Sequence, residues 1–100
     1  MRFMFTLYRN YVVQFVIQMQ ISNAAIVQRL AGNFVKLSRN KFGNYVVQML
    51  LENSNLRIVG FIIQEIMNSP EFLDVLLSPF GNHVAQAGLK FSVVSIYIIT

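Results

Sequence analysis

Hydrophobic and polar positions repeat one short phrase three times along this 100-residue chain: LYRNYVVQFVI from Leu7, NKFGNYVVQMLL from Asn40 and SPFGNHVAQAGL from Ser78. Each copy places an amide, a ring, two small apolar residues and a second amide in that order. YVVQ is rich in β-branched and aromatic residues, which favours a strand on propensity alone. Helical geometry sorts the residues better. With about 100° per residue and Asn44 at the origin, Gln48 and Tyr45 fall at about 40° and 100°, while Val46, Leu50 and Val47 fall at about 200°, 240° and 300°. The phrase therefore predicts a helix with one apolar face and a second face carrying Asn44, Tyr45 and Gln48.

The copies are evenly spaced. Asn10 and Asn44 are 34 residues apart, Asn44 and Asn82 are 38 apart, and an aromatic stands two positions before each Asn (Tyr8, Phe42, Phe80). A period of this length marks a solenoid whose units bury their faces by stacking, with three units near the minimum for stability. Between the copies the apolar spacing is again helical: Ala25, Ile26, Leu30 and Phe34, Val35, Leu37 in one interval, Leu56, Val59, Ile62, Ile63, Ile66 and Phe72, Leu73, Leu76 in the other. Asn55 is placed to cap a helix running to about Met67. Ser69 and Pro70 supply a cap and a first-turn proline for a helix ending near Leu77. Each unit thus reads as a short helix, a helix bearing the Asn-to-Gln element and a longer third helix. The architecture is an all-α solenoid of three repeats, approximately residues 1–32, 33–70 and 71–100, the last incomplete with a divergent tail from 91.

Composition adds two constraints. Hydrophobic residues make up 55% and charged residues 12%, a balance too apolar for a disordered chain and high for a free-standing domain, so part of the apolar surface expects a neighbour. Eight basic against four acidic residues give a net charge of +4, which leans toward a polyanionic partner. The chain has no cysteine, which excludes disulfides, zinc fingers and thiol catalysis. MRFMFTLYRN lacks the apolar core and cleavage site of a secretory signal, and no run reaches the length of a membrane helix. The expectation is a soluble intracellular chain with no membrane partner.

An Asn and a Gln at i and i+4 add a few tenths of a kcal/mol to an isolated helix, which accounts for one such pair without any function. Capping or solubility would, however, accept Glu, Lys, Ser or Asp at these places. Three copies, each followed by a ring, suit a ladder of flat hydrogen-bonding ligands instead. Unstacked nucleobases are such ligands, with the ring against the π-face and the amides toward the polar edge.

At these residues the sequence resembles the Pumilio, or PUF, family of RNA-binding repeat proteins. The resemblance runs from about Tyr8 to Leu89, and LAGNFVKLSRNKFGNYVVQ and NSPEFLDVLLSPFGNHVAQAGL look like parts of the last three units of a plant-type eight-repeat domain. It implies a right-handed α-solenoid in which Asn10 and Gln14, Asn44 and Gln48, and Asn82 and Gln86 each read the edge of one base. Tyr11, Tyr45 and His83 would be the stacking plates, and the pairing of Asn with Gln is the family's reader of uracil. An amide supplies both a donor and an acceptor to uracil's mixed edge, whereas a glutamate at the Gln position would accept from guanine. The implied biology is control of translation and message stability through U-rich elements in 3′ untranslated regions, in the cytoplasm or alternatively the nucleus.

The sequence also departs from the family pattern. Arg9 stands where the other units have Gly43 and Gly81, and the helix before it is short. The penultimate family unit usually carries Ser and Glu for guanine, so Asn44 and Gln48 imply a changed specificity there. KFSVVSIYIIT replaces the helices that normally close the array, and its last nine residues read as a makeshift helix, a frayed end or an aggregation hazard.

Other features carry less. His83 has no cysteine or carboxylate cluster with which to hold a metal, and stacking or an idle surface position are its two readings. Glu71 and Asp74 are three apart but lack a nucleophile, so they read as a solvated face and no enzyme is expected. Lys36, Arg39 and Lys41 stand just ahead of the second amide-bearing helix and are candidates for phosphate contacts or plain solubilising charges. No cofactor, metal or small-molecule substrate is implied. The competing reading is a degenerate or truncated fragment acting as a helical module whose convex face binds a protein.

Overall fold

A computed structural model describes residue 17 and residues 23–92. Within residues 23–92 six helices follow one another: α1 (Asn23–Leu30), α2 (Phe34–Ser38), α3 (Gly43–Asn53), α4 (Leu56–Met67), α5 (Phe72–Leu77) and α6 (Gly81–Phe91). No strand occurs among the described residues, and the all-helical repeat arrangement expected from the periodicity is what forms.

Local chemistry sets the helix ends. The Asn55 side chain accepts from the Ile58 N–H at 3.0 Å, and α4 runs to Met67 as its apolar spacing predicts. Ser69 caps the next segment by accepting from the Glu71 N–H at 3.1 Å, but α5 starts at Phe72 rather than Pro70. The intervening residues form a turn closed by the Phe72 N–H on the Ser69 carbonyl at 3.1 Å. Gly32, at φ +86°, occupies the left-handed region in the turn that follows α1, where a side chain would strain the backbone.

The helices stack by kind. The short helices α2 and α5 pack on one another, α3 lies along α6, and α1 packs on α4. Each short helix also packs on the longer helix that follows it, α2 on α3 and α5 on α6. Fully buried Ile17, Phe34, Leu37, Val46, Val47, Leu50, Ile62 and Val75 hold these layers together. Burying a side chain of this size contributes about 1.5 to 3 kcal/mol.

In α5 the helical spacing of Phe72, Leu73 and Leu76 marks the element but not its inward face. Val75 is fully buried, whereas Leu73 and Leu76 are exposed. The reason lies at Gly81, where α6 crosses so close that a Cβ would stand 2.3 Å from the Val75 carbonyl oxygen. Exposed Leu56, Phe61, Met67, Leu73, Leu77 and Leu89 show where the high apolar content reaches the surface.

Two polar ties cross between helices distant in sequence. The Glu65 carboxylate on α4 accepts from the N–H groups of Gly32 at 2.6 Å and Phe34 at 2.9 Å, so it caps α2 from another helix. Asn23 at the start of α1 donates to the Asn53 carbonyl at 3.3 Å and the Ser54 hydroxyl at 3.2 Å, tying α1 to the end of α3. Glu65→Ala leaves the Gly32 and Phe34 N–H groups without this partner and is expected to cost about 1 to 2 kcal/mol. Chemical denaturation followed by circular dichroism measures it, and an unchanged midpoint would show the tie to be dispensable.

Candidate nucleic-acid interface

The amide-bearing helices α3 and α6 begin in the same way. The Asn40 side-chain oxygen accepts from the N–H groups of Phe42 at 2.9 Å and Gly43 at 2.8 Å. Thirty-eight residues on, the Ser78 hydroxyl accepts from Phe80 at 3.2 Å and Gly81 at 3.1 Å. These caps fix where each helix starts and therefore which turn presents the amides. The sequence reading did not single them out. Their signal was present, since Asn and Ser are capping residues and each stands four positions before its amide.

On each helix the two amides are joined. Gln48 Nε2 donates to Asn44 Oδ1 at 2.8 Å, and Gln86 Nε2 donates to Asn82 Oδ1 at 2.7 Å. The ring residues Tyr45, 51% exposed, and His83, also exposed, stand open to solvent. Val46, Val47 and Leu50 are buried, as the apolar side of the helical wheel requires.

Asn44 departs from the expected open face. It is only 2% exposed, whereas Asn82 is half-buried and Gln86 exposed. The Asn44 amide turns back over the start of its own helix and donates to the carbonyls of Asn40 and Lys41, both at 2.9 Å. A helical wheel places the Cα direction and is blind to such a back-turned side chain. In α6 the corresponding contact is a single one, from Asn82 Nδ2 to the Pro79 carbonyl at 3.5 Å.

Lys36, Arg39 and Lys41 are all exposed. Arg39 pairs with Glu71 at 3.2 Å across the surface, a pair worth little in solvent, and the Lys41 ammonium lies 5.5 Å from the Phe42 ring centre. Asn10, Tyr11 and Gln14, with the Arg9 position and the tail from residue 93, lie outside the described residues. Among the described residues no three His, Asp or Glu gather as a metal site would require, and no helix is long and apolar enough to cross a membrane.

The repeat recognised in the sequence has a counterpart among known proteins. A family model described as a Pumilio-family RNA binding repeat matches residues 33–67, which contain α2, α3 and α4. Pumilio homolog 12 of Arabidopsis thaliana is 38% identical over 85 residues, covering 83% of this chain and 14% of the relative. The chain belongs to the Pumilio family of RNA-binding repeats.

Other Pumilio relatives agree: Putative pumilio homolog 13 of the same organism is 40% identical over 81 residues, and Pumilio homolog 11 is 33% identical over 84. These alignments cover 77% and 81% of the chain and 14% of each relative, so the chain spans about one seventh of the length of its Pumilio relatives. No solved structure matches it.

Proposed function

We propose that this chain binds single-stranded RNA, one base per repeat, with a preference for uracil, and that it acts on translation or stability of messages bearing U-rich elements. The observation that carries the reading is the duplicated pair of joined amides, Asn44 with Gln48 and Asn82 with Gln86, on two helices that lie against each other, with an exposed ring directly after each Asn. Lys36, Arg39 and Lys41 supply positive charge beside the first of these helices for phosphates. The third pair, Asn10 and Gln14 with Tyr11, extends the ladder by sequence alone. The cytoplasm, where such messages are translated, is the proposed compartment.

Stacking contributes about 1 to 3 kcal/mol per base, so three bases give about 3 to 9 kcal/mol before the cost of ordering the strand. Affinity of the isolated chain is therefore weak. Fluorescence anisotropy with oligo-U and oligo-A of about ten nucleotides tests the reading, at low salt because phosphate contacts weaken as salt rises. Tighter binding of oligo-U is the expected result; equal affinity, or none at the highest soluble concentration, removes selective reading. Asn82→Ser combined with Gln86→Glu should move the preference at one position toward guanine, whose N1–H and N2–H donors meet the carboxylate. An unchanged base profile would mean that α6 does not touch bases. The exposed Phe61, Met67 and Leu77 favour a second reading, a helical module that docks a protein, which binding to neither oligonucleotide would leave standing.

A further inference from the structure

We infer that residues 93–100 of this chain seat in the apolar groove between α4, α5 and α6 and cover it. The groove is lined by, among others, Ile63 and Met67 of α4, Phe72 and Leu76 of α5, Leu89 of α6 and Ser92, where α6 ends.

The two described units show why the groove is there. A shift of 38 residues carries α3 (Gly43–Asn53) onto α6 (Gly81–Phe91), and Phe34 of α2 onto Phe72 of α5. In the earlier unit α4 follows α3 and packs back on both α2 and α3. There Leu51 is 1% exposed, and Phe34 and Ser38 are fully buried. Their equivalents 38 residues on form the groove wall: Leu89 is 58% exposed, Leu76 is exposed and Phe72 is half-buried. Val75, the equivalent of Leu37, stays fully buried, so α5 itself sits as α2 does. What differs is the cover, since among the described residues no helix follows α6.

The backbone leaves both helices in the same way. Ser54 ends α3 at φ −106° and ψ 162°, and Ser92 ends α6 at φ −90° and ψ 166°. Because α4 begins at Leu56, two residues after Ser54, the same exit at Ser92 aims the following residues along the groove. Those residues are VVSIYIIT, with six apolar side chains and no charge. Exposing them to water is unfavourable, and the groove lining matches them in kind.

Reach and attachment favour this segment over a second copy of the chain. Eight residues span about 12 Å as a helix and about 26 Å extended, against about 8 to 10 Å between the axes of packed helices. Ser92 itself lines the groove, so a segment joined to it is presented at an effective concentration on the order of millimolar, above that of a separate chain in dilute solution. With the segment seated, Met67 and Leu89 are covered, and a protein partner has to dock elsewhere.

The test is NMR on the full chain, reading short-range contacts between side chains of residues 93–100 and the methyl groups of Ile63, Leu76 and Leu89. Contacts within one chain are expected. A sample mixed from labelled and unlabelled chains, filtered for contacts between molecules, should show none. Contacts seen only between chains would give the groove to a second copy and overturn the inference, as would contacts in neither sample. Thermal melts supply a second readout: Ile96→Lys, Ile98→Lys and Ile99→Lys together should lower the midpoint by about 5 °C or more. Adding Leu89→Lys to them should then lower it by less than Leu89→Lys does alone, because the seat is already empty. A triple variant within about 2 °C of the parent is what an unseated segment gives, and it would sink the proposal.

Discussion

Gly81→Ala should destabilise the chain by about 3 kcal/mol, the upper part of the usual range for overpacking a tight contact. A Cβ at this position would stand 2.3 Å from the Val75 carbonyl oxygen, 2.9 Å from its Cγ1 and 3.0 Å from its carbonyl carbon. Two of those atoms are backbone, so no rotamer change relieves them, and α5 must move away from α6. Alanine's better helix propensity returns at most about 1 kcal/mol. Gly43→Ala meets a looser version of the same contact, 2.8 Å from the Leu37 carbonyl, and should cost less. Urea denaturation followed by circular dichroism gives both values. A Gly81→Ala chain within about 0.5 kcal/mol of the parent would show that the close crossing of α5 and α6 does not exist in solution. Displacement of α6 would also carry Asn82 out of line, so RNA binding should weaken alongside stability.

That a glycine stands one residue before Asn44 and before Asn82 was visible in the sequence; why it must be glycine was not. The repeat was legible because the Asn, ring and Gln recur at fixed spacing, and a local pattern of this kind survives without knowledge of neighbours. Helix α4 was legible for the same reason, from Asn55 and the spacing of Val59, Ile62 and Ile66. What escaped depends on contacts between units. Glu65 reads as an ordinary surface acid until α4 is laid against the start of α2. Val75 reads as one apolar residue among several until α6 crosses it. Asn44 has the sequence context of an exposed amide, and its burial follows from a side-chain turn that competes with solvent for the carbonyls of Asn40 and Lys41. The site's members were thus readable from the chain, while their relative freedom to meet a ligand was set by local geometry.

Phe34→Ala is the most disruptive core substitution expected in the described region, at about 3 to 5 kcal/mol. Phe34 is fully buried, its N–H is held by the Glu65 carboxylate and its carbonyl accepts from the Ser38 hydroxyl at 2.6 Å. Truncation therefore opens a cavity at the point where α2 is tied to α4, and the five-residue α2 has too little helix of its own to hold the gap closed. Domains of this size are stable by only about 5 to 15 kcal/mol, so most of the margin goes. Thermal melts should show a large fall in midpoint; a fall of only a degree or two would place Phe34 outside the true core. Phe34 belongs to neither amide pair, so RNA affinity should fall with the folded fraction while the ratio of oligo-U to oligo-A binding stays the same. A changed ratio would instead mean that α2 sets the orientation of α3, and with it the direction in which Gln48 faces.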